Sequence, residues 1–475
     1  MNFIYDNLAG EQVDLVRLVD QILDTLNSNE FTIADNEHKG ISGKELSPQV
    51  SWLASKISEL PSGPIGICCS NGPRLIIALL AVMLSERSII LLGVKWQDSE
   101  LNHVINESPC AAVIFEAGFR EIDLGEGWHT FIASELAVQY RTTVIPFVPD
   151  GLWVGQYTSG TTGRSKLVIR EWQALQDEIM ALDKAVLLSG NALFLNMAPA
   201  HHSYGFCGGM LWPLYKHAKI VTIRDFYPSQ TRKIWHKKEP DVVFGLPFQY
   251  QFIATSPGPV PNKPVIAFSA GGPLVREVRE VVHENLGFYL SNNYGSTESG
   301  TMCIYPEMPI DEKVSCVGWP LQGRVFATDV NGQLLLESEG VMRGYYGEEP
   351  VSLPYKTGDK GIISDDGRVF IQGRIKPVIN IGGVKVDTSY VEEVLLRIPA
   401  ISEVVVFPDE STGFYQSIKA FVVLKENSME NEASIREHCR DYLKQIEVPR
   451  KIIIVDQLPR SETGKILGKY LLNIK

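Results

Sequence analysis

The chain has no apolar run long enough to cross a bilayer. Its longest, Leu75–Leu84, is broken by Ser85-Glu86-Arg87, far short of the roughly 20 residues a spanning helix needs. Positive charge is in deficit: 44 basic side chains face 56 acidic ones, a net charge of −12. A general nucleic-acid binder needs a basic footprint, so that class is excluded. The seven cysteines, at 68, 69, 110, 207, 303, 316 and 439, form no C-x-x-C pair. An odd count without that spacing argues against a disulfide framework and a structural zinc site, and fits a reducing cytosol. Asp6, Glu11, Asp14 and Asp20 crowd the first residues, and no basic patch leads into an apolar run. A secretory signal is therefore not expected, and a cytoplasmic location is. Internal repeats are also missing.

What is present is the composition of an ordinary globular protein. The 475 residues are 44% hydrophobic and 21% charged, enough to bury a large core. From about 64 to 115, short apolar runs alternate with helical patterns. Pro64–Cys69, Ser88–Leu92 and Ala111–Phe115 read as strands, and Leu75–Leu84 and Asp98–Asn106 as helices. Such alternation predicts a parallel sheet with crossover helices. Ala218–Thr222, Val242–Phe244 and Val265–Phe268 repeat the strand signal, and Leu274–Leu286 looks helical. After about 310, short segments such as Gly332–Glu337 and Arg368–Gly373, spaced by turn residues, suggest an antiparallel β region. Another small α/β unit starts beyond 376. There, 14 basic residues balance 14 acidic ones, so the whole −12 lies in residues 1–375.

The most informative stretch is Tyr157-Thr158-Ser159-Gly160-Thr161-Thr162-Gly163-Arg164-Ser165-Lys166, which follows a strand candidate, Leu152–Gln156. Glycines let backbone N–H groups approach phosphates, hydroxyls donate hydrogen bonds, and Lys166 adds charge. The spacing is not that of a Walker A loop. A polar surface turn is the bland alternative for any Gly/Ser/Thr run; the full ten-residue pattern outweighs it here.

This pattern resembles the signature loop of the adenylate-forming superfamily, which includes acyl- and aryl-CoA ligases, nonribosomal-peptide adenylation domains and luciferases. Four further segments resemble its other signatures in chain order. They are Asn293-Tyr294-Gly295-Ser296-Thr297-Glu298, Tyr355-Lys356-Thr357-Gly358-Asp359, Gly373-Arg374-Ile375-Lys376 continued by Ile381–Val386, and Leu458–Lys465. The resemblance covers residues 157–465; the first 150 match in texture only. The family's loop usually has Pro before its lysine and Gly after it, where Ser165 and Leu167 stand here. Without Pro, φ at that position is freer. A basic residue often follows the last motif closely, where Gly468-Lys469 stands here.

The resemblance implies an α/β protein. A large N-terminal adenylation domain, 1–373, would hold two α/β layers and a small β-barrel. A small mobile α+β domain, 377–475, would follow a hinge at Lys376. It implies ATP and Mg²⁺ as cofactors, with Thr158, Ser159, Gly160, Thr161, Thr162 and Gly163 around the phosphates. Lys166, Thr297, Glu298 and Lys465 would be catalytic. Thr297 would donate to the α-phosphate, and Glu298 would hold Mg²⁺, a hard cation suited to oxygen ligands. Tyr294 and Gly295 would lie at the nucleotide, with Tyr294 stacked on adenine against Gly271 and Gly272. Asp359 would accept the ribose hydroxyls, supported by Arg374. Lys465 would neutralise the adenylation transition state. Gly382 and Gly383 would line the thiol's approach.

The segment Met197–Phe206 resembles the one preceding the acid pocket, with His202 and Phe206 as pocket candidates. His202 would gate the pocket or contact the substrate, with a hydrogen-bonded structural role equally open, and Phe206 and Cys207 read as wall or core residues. No Asp or Glu occurs between Lys184 and Arg224. A buried ammonium without a counter-charge costs several kcal/mol, so the expected substrate is a carboxylic acid without an α-amino group. The acyl acceptor would be coenzyme A, for which Lys385, Lys444, Arg450 and Lys451 are candidate partners unless they are simply solvated surface charges, or the phosphopantetheine of a separate carrier protein. The leading expectation is an AMP-forming acid–thiol ligase. A non-catalytic nucleotide-binding protein ranks behind it, and a hydrolase lacks the G-x-S-x-G elbow.

Overall fold

The computed structural model describes Val19, Ile22, 32–34, 41–117, Leu124, 127–133, 135–142, 150–158, 166–188, 191–262, 265–375, 379–381, 384–386, 388–409, 417–426, 428–461, Gly464 and 466–472. Two large sheets dominate. In the first, Ile65–Cys68 lies between Ile89–Leu91 and Ala112–Glu116, and Trp153–Tyr157 flanks Ile89–Leu91, all parallel. Leu167–Glu171 adds antiparallel to Trp153–Tyr157. In the second, Thr32–Ala34, Lys219–Thr222, Leu193–Asn196, Val242–Gly245, Ile266–Ser269 and Leu290–Ser296 run parallel in that order. The parallel sheet expected from the alternating texture is therefore present. Its strands read as continuous apolar runs because both faces are covered.

The helix Pro73–Leu84 is buried at every position from Pro73 to Met83 except Arg74. A helix apolar on all sides must lie inside. It shares one core cluster with side chains of both sheets, Ile67 and Val154 from one and Phe194 and Phe244 from the other. Leu175, Leu182 and Trp212 belong to the same cluster. The helices Gly43–Ser58, Pro73–Leu84 and Trp172–Ala185 thus sit between the two sheets.

The antiparallel strands after residue 300 extend the second sheet. Gly300–Tyr305 pairs with Leu290–Ser296, Cys316–Pro320 follows, and Val369–Arg374 and Tyr355–Ile363 come next. Gly344–Tyr345 crosses over to pair with Leu167–Glu171 of the first sheet. This crossing ties the two sheets together beside the end of the polar loop. From Ile379 onward the chain forms sheets of its own, Ile379–Ile381 with Val384–Val386, and Ile401–Asp409, Ser417–Leu424 and Lys451–Ile454. A separate core including Val391, Leu395, Val406, Val422 and Ile435 holds them to the helices Thr388–Leu396 and Glu432–Tyr442.

Candidate active site

The polar loop is closed at its base. Thr158 N–H donates to the Lys166 carbonyl at 3.0 Å, and Lys166 N–H donates to Thr158 Oγ1 at 3.2 Å. Ser159 to Gly163, expected around the phosphates, lie outside the described residues, as do Lys376, Gly382, Gly383 and Lys465. Lys166 Nζ donates to Glu348 Oε1 at 2.8 Å and lies 4.5 Å from the centroid of the Tyr345 ring. The Tyr345 hydroxyl in turn donates to Glu298 Oε1 at 3.0 Å. Burial first, and then the Glu298 charge, push the Tyr345 hydroxyl's pKa up, so it stays protonated and a donor. Lys166 and Glu298, 132 positions apart in sequence, therefore meet on the two sides of one tyrosine.

Glu298 and Thr297 stand on the turn between Leu290–Ser296 and Gly300–Tyr305. Two glycines make that turn possible. A Cβ at Gly295 would stand 2.3 Å from the Gly300 carbonyl oxygen. Gly300 has φ +64, a left-handed conformation that glycine adopts without steric cost. The strand before the turn carries Tyr294, whose hydroxyl donates to Asp359 Oδ2 at 2.6 Å. Arg374 Nε donates to Asp359 Oδ1 at 3.1 Å. The register does this: Asp359 and Arg374 are direct partners on neighbouring antiparallel strands. Thr357 fixes the strand by donating to the Leu334 carbonyl and accepting from Asp359 N–H. Asp359 is 7% exposed. A carboxylate has about four acceptor sites, so two bonds leave it capacity for more.

Gly271 follows the strand Ile266–Ser269 with φ +87. A Cβ at Gly272 would meet nothing within 4 Å, so protein packing does not require glycine there.

His202 occupies the position just before the short helix Ser203–Phe206, with no capping bond from its side chain. Its ring lies 4.2 Å from that of His201, which forms an edge contact with Trp96 at 6.1 Å. Trp96 also packs edge-on against Tyr157 at the start of the loop, at 5.8 Å. Burial, and then the charge of Lys95, lower the His201 pKa from 6.5 to about 4. His201 is thus a neutral ring beside His202. Phe206 is different. It is 0% exposed and belongs to the core cluster between the sheets. The structure gives it packing partners, which is the core alternative already open in the sequence. The next residues, Cys207–Leu211, form a π-helical turn. A Cβ at Gly208 would stand 2.2 Å from Phe244 Cε1, so the turn is pressed against the second sheet.

Gly464, the neighbour of Lys465, has φ +80, and a Cβ there would stand 4.0 Å from Phe248 Cδ1. A bridge between Arg460 and Ile466 and a bond from Arg460 Nη1 to the Gly464 carbonyl at 2.8 Å shape this hairpin. It reaches the large unit at the helix Pro247–Thr255.

Sequence reasoning missed Tyr345, His201 and Phe248. Tyr345 occupies a two-residue strand with no motif of its own. His201 was visible beside His202, but its contact with Trp96 depends on the fold. Among the described residues no three His, Cys, Asp or Glu side chains converge as a metal cage. Mg²⁺ is commonly held by one or two carboxylates together with substrate phosphates and water. Glu298, with one oxygen taken by Tyr345, fits that mode.

Two protein-family models match the chain. A family model described as AMP-binding enzyme matches residues 25–346. A second, AMP-binding enzyme C-terminal domain, matches residues 390–465. The 3,4-dihydroxybenzoate–[aryl-carrier protein] ligase of Bacillus anthracis is 27% identical over 66% of this chain and 72% of its own length. The malonate–CoA ligase ACSF3, mitochondrial, of Homo sapiens is 26% identical over 90% of this chain and 86% of its own. Among solved structures, o-succinylbenzoate CoA synthetase (MenE) from Bacillus subtilis, in complex with its acyl-adenylate intermediate, superposes with a TM-score of 0.74. That match covers 96% of this chain and 98% of MenE at 20% identity. With more than half of its length matched by the family model, the chain belongs to the AMP-binding enzyme family.

Proposed function

We propose that the protein activates a carboxylic acid with ATP, forming the acyl-adenylate and pyrophosphate, and then transfers the acyl group to the thiol of coenzyme A. The observation that carries this reading is the convergence of Lys166, Glu298, Tyr294, Asp359 and Arg374 through Tyr345 and two neighbouring strands. In this reading Asp359 accepts the ribose hydroxyls while Tyr294 and Arg374 hold it in place. The Tyr294 ring, fixed by that bond, offers a face to adenine beside Gly271 and Gly272. Thr297 donates to the α-phosphate. Lys166 is tied to Glu348 by a half-exposed ion pair. Such pairs are worth about 0–1 kcal/mol, so the lysine can turn to a phosphate at little cost. Bound Mg²⁺ would neutralise phosphate charge, and Glu298 would hold it. Lys465, next to the Gly464 contact with Phe248, would approach the reacting carboxylate in the first step. The Ile379–Leu472 unit would swing about Lys376 to bring Gly382 and Gly383 to the adenylate in the second.

The acid is one without an α-amino group. Glu178, a buried carboxylate whose charge acts on Cys207, is already paired with Arg170. A separate carrier protein is the second reading for the acceptor, favoured by the relationship to the aryl-carrier ligase. All seven cysteines are buried thiols, which suits a reducing cytoplasm. Mass spectrometry of reactions containing ATP, a panel of acids, and either coenzyme A or holo-carrier proteins separates the acceptors. Acyl-CoA is the expected product. Acylated carrier with no acyl-CoA would select the second reading.

A further inference from the structure

Arg170 and Glu178 form an ion pair at 2.8 Å, each side chain only 1% exposed. Neither belongs to a motif of the resemblance. Burying two charges is expensive, and replacing such a pair with apolar residues is often neutral or stabilising. Stability alone gives little reason to keep it. What the pair touches gives a reason. Glu178 Oε1 accepts from Thr301 N–H at 2.8 Å, just after the Thr297–Glu298 turn. A Cβ at Gly300 would stand 2.2 Å from Glu178 Oε2, so the turn is seated directly on the carboxylate. Arg170 Nη2 donates to the Gly340 carbonyl at 3.0 Å. Two residues on, Met342 N–H donates to the Glu298 carbonyl at 2.6 Å. The pair thus anchors both sides of Glu298's backbone. Arg170 stands on the strand Leu167–Glu171 that leaves Lys166, and its Nη1 lies 3.8 Å from Cys207 Sγ in the π-helical turn.

We propose that Arg170 and Glu178 are positioning residues that hold the Thr297–Glu298 turn in register with the strand leaving Lys166, and thereby aim the Glu298 carboxylate at the divalent cation. The proposal rests on the reading of Glu298 as the Mg²⁺ ligand. The decisive bond is the one from Thr301 N–H to Glu178.

Two double variants separate this role from bulk stability. Arg170→Met with Glu178→Gln removes both charges but keeps an acceptor for Thr301 N–H. Arg170→Met with Glu178→Leu removes the acceptor as well. Acid-dependent pyrophosphate exchange is measured against Mg²⁺ concentration, with thermal melting as the check on folding. The Leu variant should need roughly tenfold more Mg²⁺ for half-maximal exchange, the scale of lost support behind a metal ligand. The Gln variant should stay near the parent. Arg170→Met with Glu178→Met, which also lacks the acceptor but fills the space with a flexible side chain, should resemble the Leu variant and serves if the latter does not fold. Equal Mg²⁺ dependence of the Gln variant and the acceptor-less variant overturns the proposal. Glu298→Gln is the reference. If it raises the Mg²⁺ requirement while the pair variants do not, the positioning role alone fails. If it leaves the requirement unchanged, the reading of Glu298 fails as well.

Discussion

Asp359 is the side chain on which the nucleotide reading turns. Its two oxygens receive Tyr294 and Arg374 at 2.6 and 3.1 Å, and Arg374 is itself 58% exposed. The Arg374 pair therefore adds little stability; what the arrangement provides is a fixed orientation. Asp359→Asn should raise the KM for ATP roughly ten- to a hundredfold, the scale of a lost charged hydrogen bond. Steady-state kinetics with ATP varied would show it; a KM like the parent's would remove Asp359 from the nucleotide site. His201 carries a pH prediction. Its pKa is lowered from 6.5 to about 4 in the folded chain. Between those values the unfolded chain binds the proton and the folded chain does not, so stability falls as pH drops from 6.5 toward 4. His201→Gln should lose less melting temperature across that interval than the parent, and equal losses would refute the assignment. At this scale the sequence was legible where chemistry is written in motifs, as at Tyr294, Glu298 and Asp359. Arg170 and Glu178 had a weaker signal that could have been read. An arginine follows directly on the apolar run Leu167–Ile169 and is buried like it, and a glutamate sits on the buried stripe of Ala174, Leu175, Ile179 and Leu182.

Elements turn these residues into a site. The turn between Leu290–Ser296 and Gly300–Tyr305 presents Thr297 and Glu298, and pairing of Tyr355–Ile363 with Val369–Arg374 sets Asp359 against Arg374. The segment Ser203–Tyr215 is the clearest case in which an element explains a residue. Its π-helical turn is pressed on the second sheet and carries Phe206 inward, into the core with Phe194 and Trp212. Phe206→Ala should therefore cost about 3–5 kcal/mol of stability, measured by denaturant unfolding. The KM for the acid should change little well below the melting temperature. A large KM change with parental stability would return Phe206 to the substrate pocket. Most strands were legible because parallel, doubly covered strands are short apolar runs bounded by turns, as Val242–Gly245 and Ile266–Ser269 are. The two-residue strand Gly344–Tyr345 was not, since its placement comes from a partner 175 positions away.

For the whole molecule, the described structure joins two sheets around shared helices and adds a unit with its own core after Ile379. The order of motifs announced both parts. One approach between them, where a Cβ at Gly464 would stand 4.0 Å from Phe248 Cδ1, was hidden because nothing in Pro247–Thr255 marks that helix for it. The proposed role of Lys465, the residue after Gly464, carries one prediction for the assembled enzyme. Lys465→Ala should slow adenylation about 10²–10³-fold while ATP binding, followed by calorimetry, survives; unchanged adenylation would dismiss the lysine. The central claim is that the chain makes an acyl-adenylate, and acid-dependent exchange of labelled pyrophosphate into ATP tests it most directly. Label should enter ATP only when a carboxylic acid from an aliphatic, dicarboxylic and aromatic panel is present. Binding of ATP with no exchange for any acid in that panel, or exchange that ignores the acid, would contradict it.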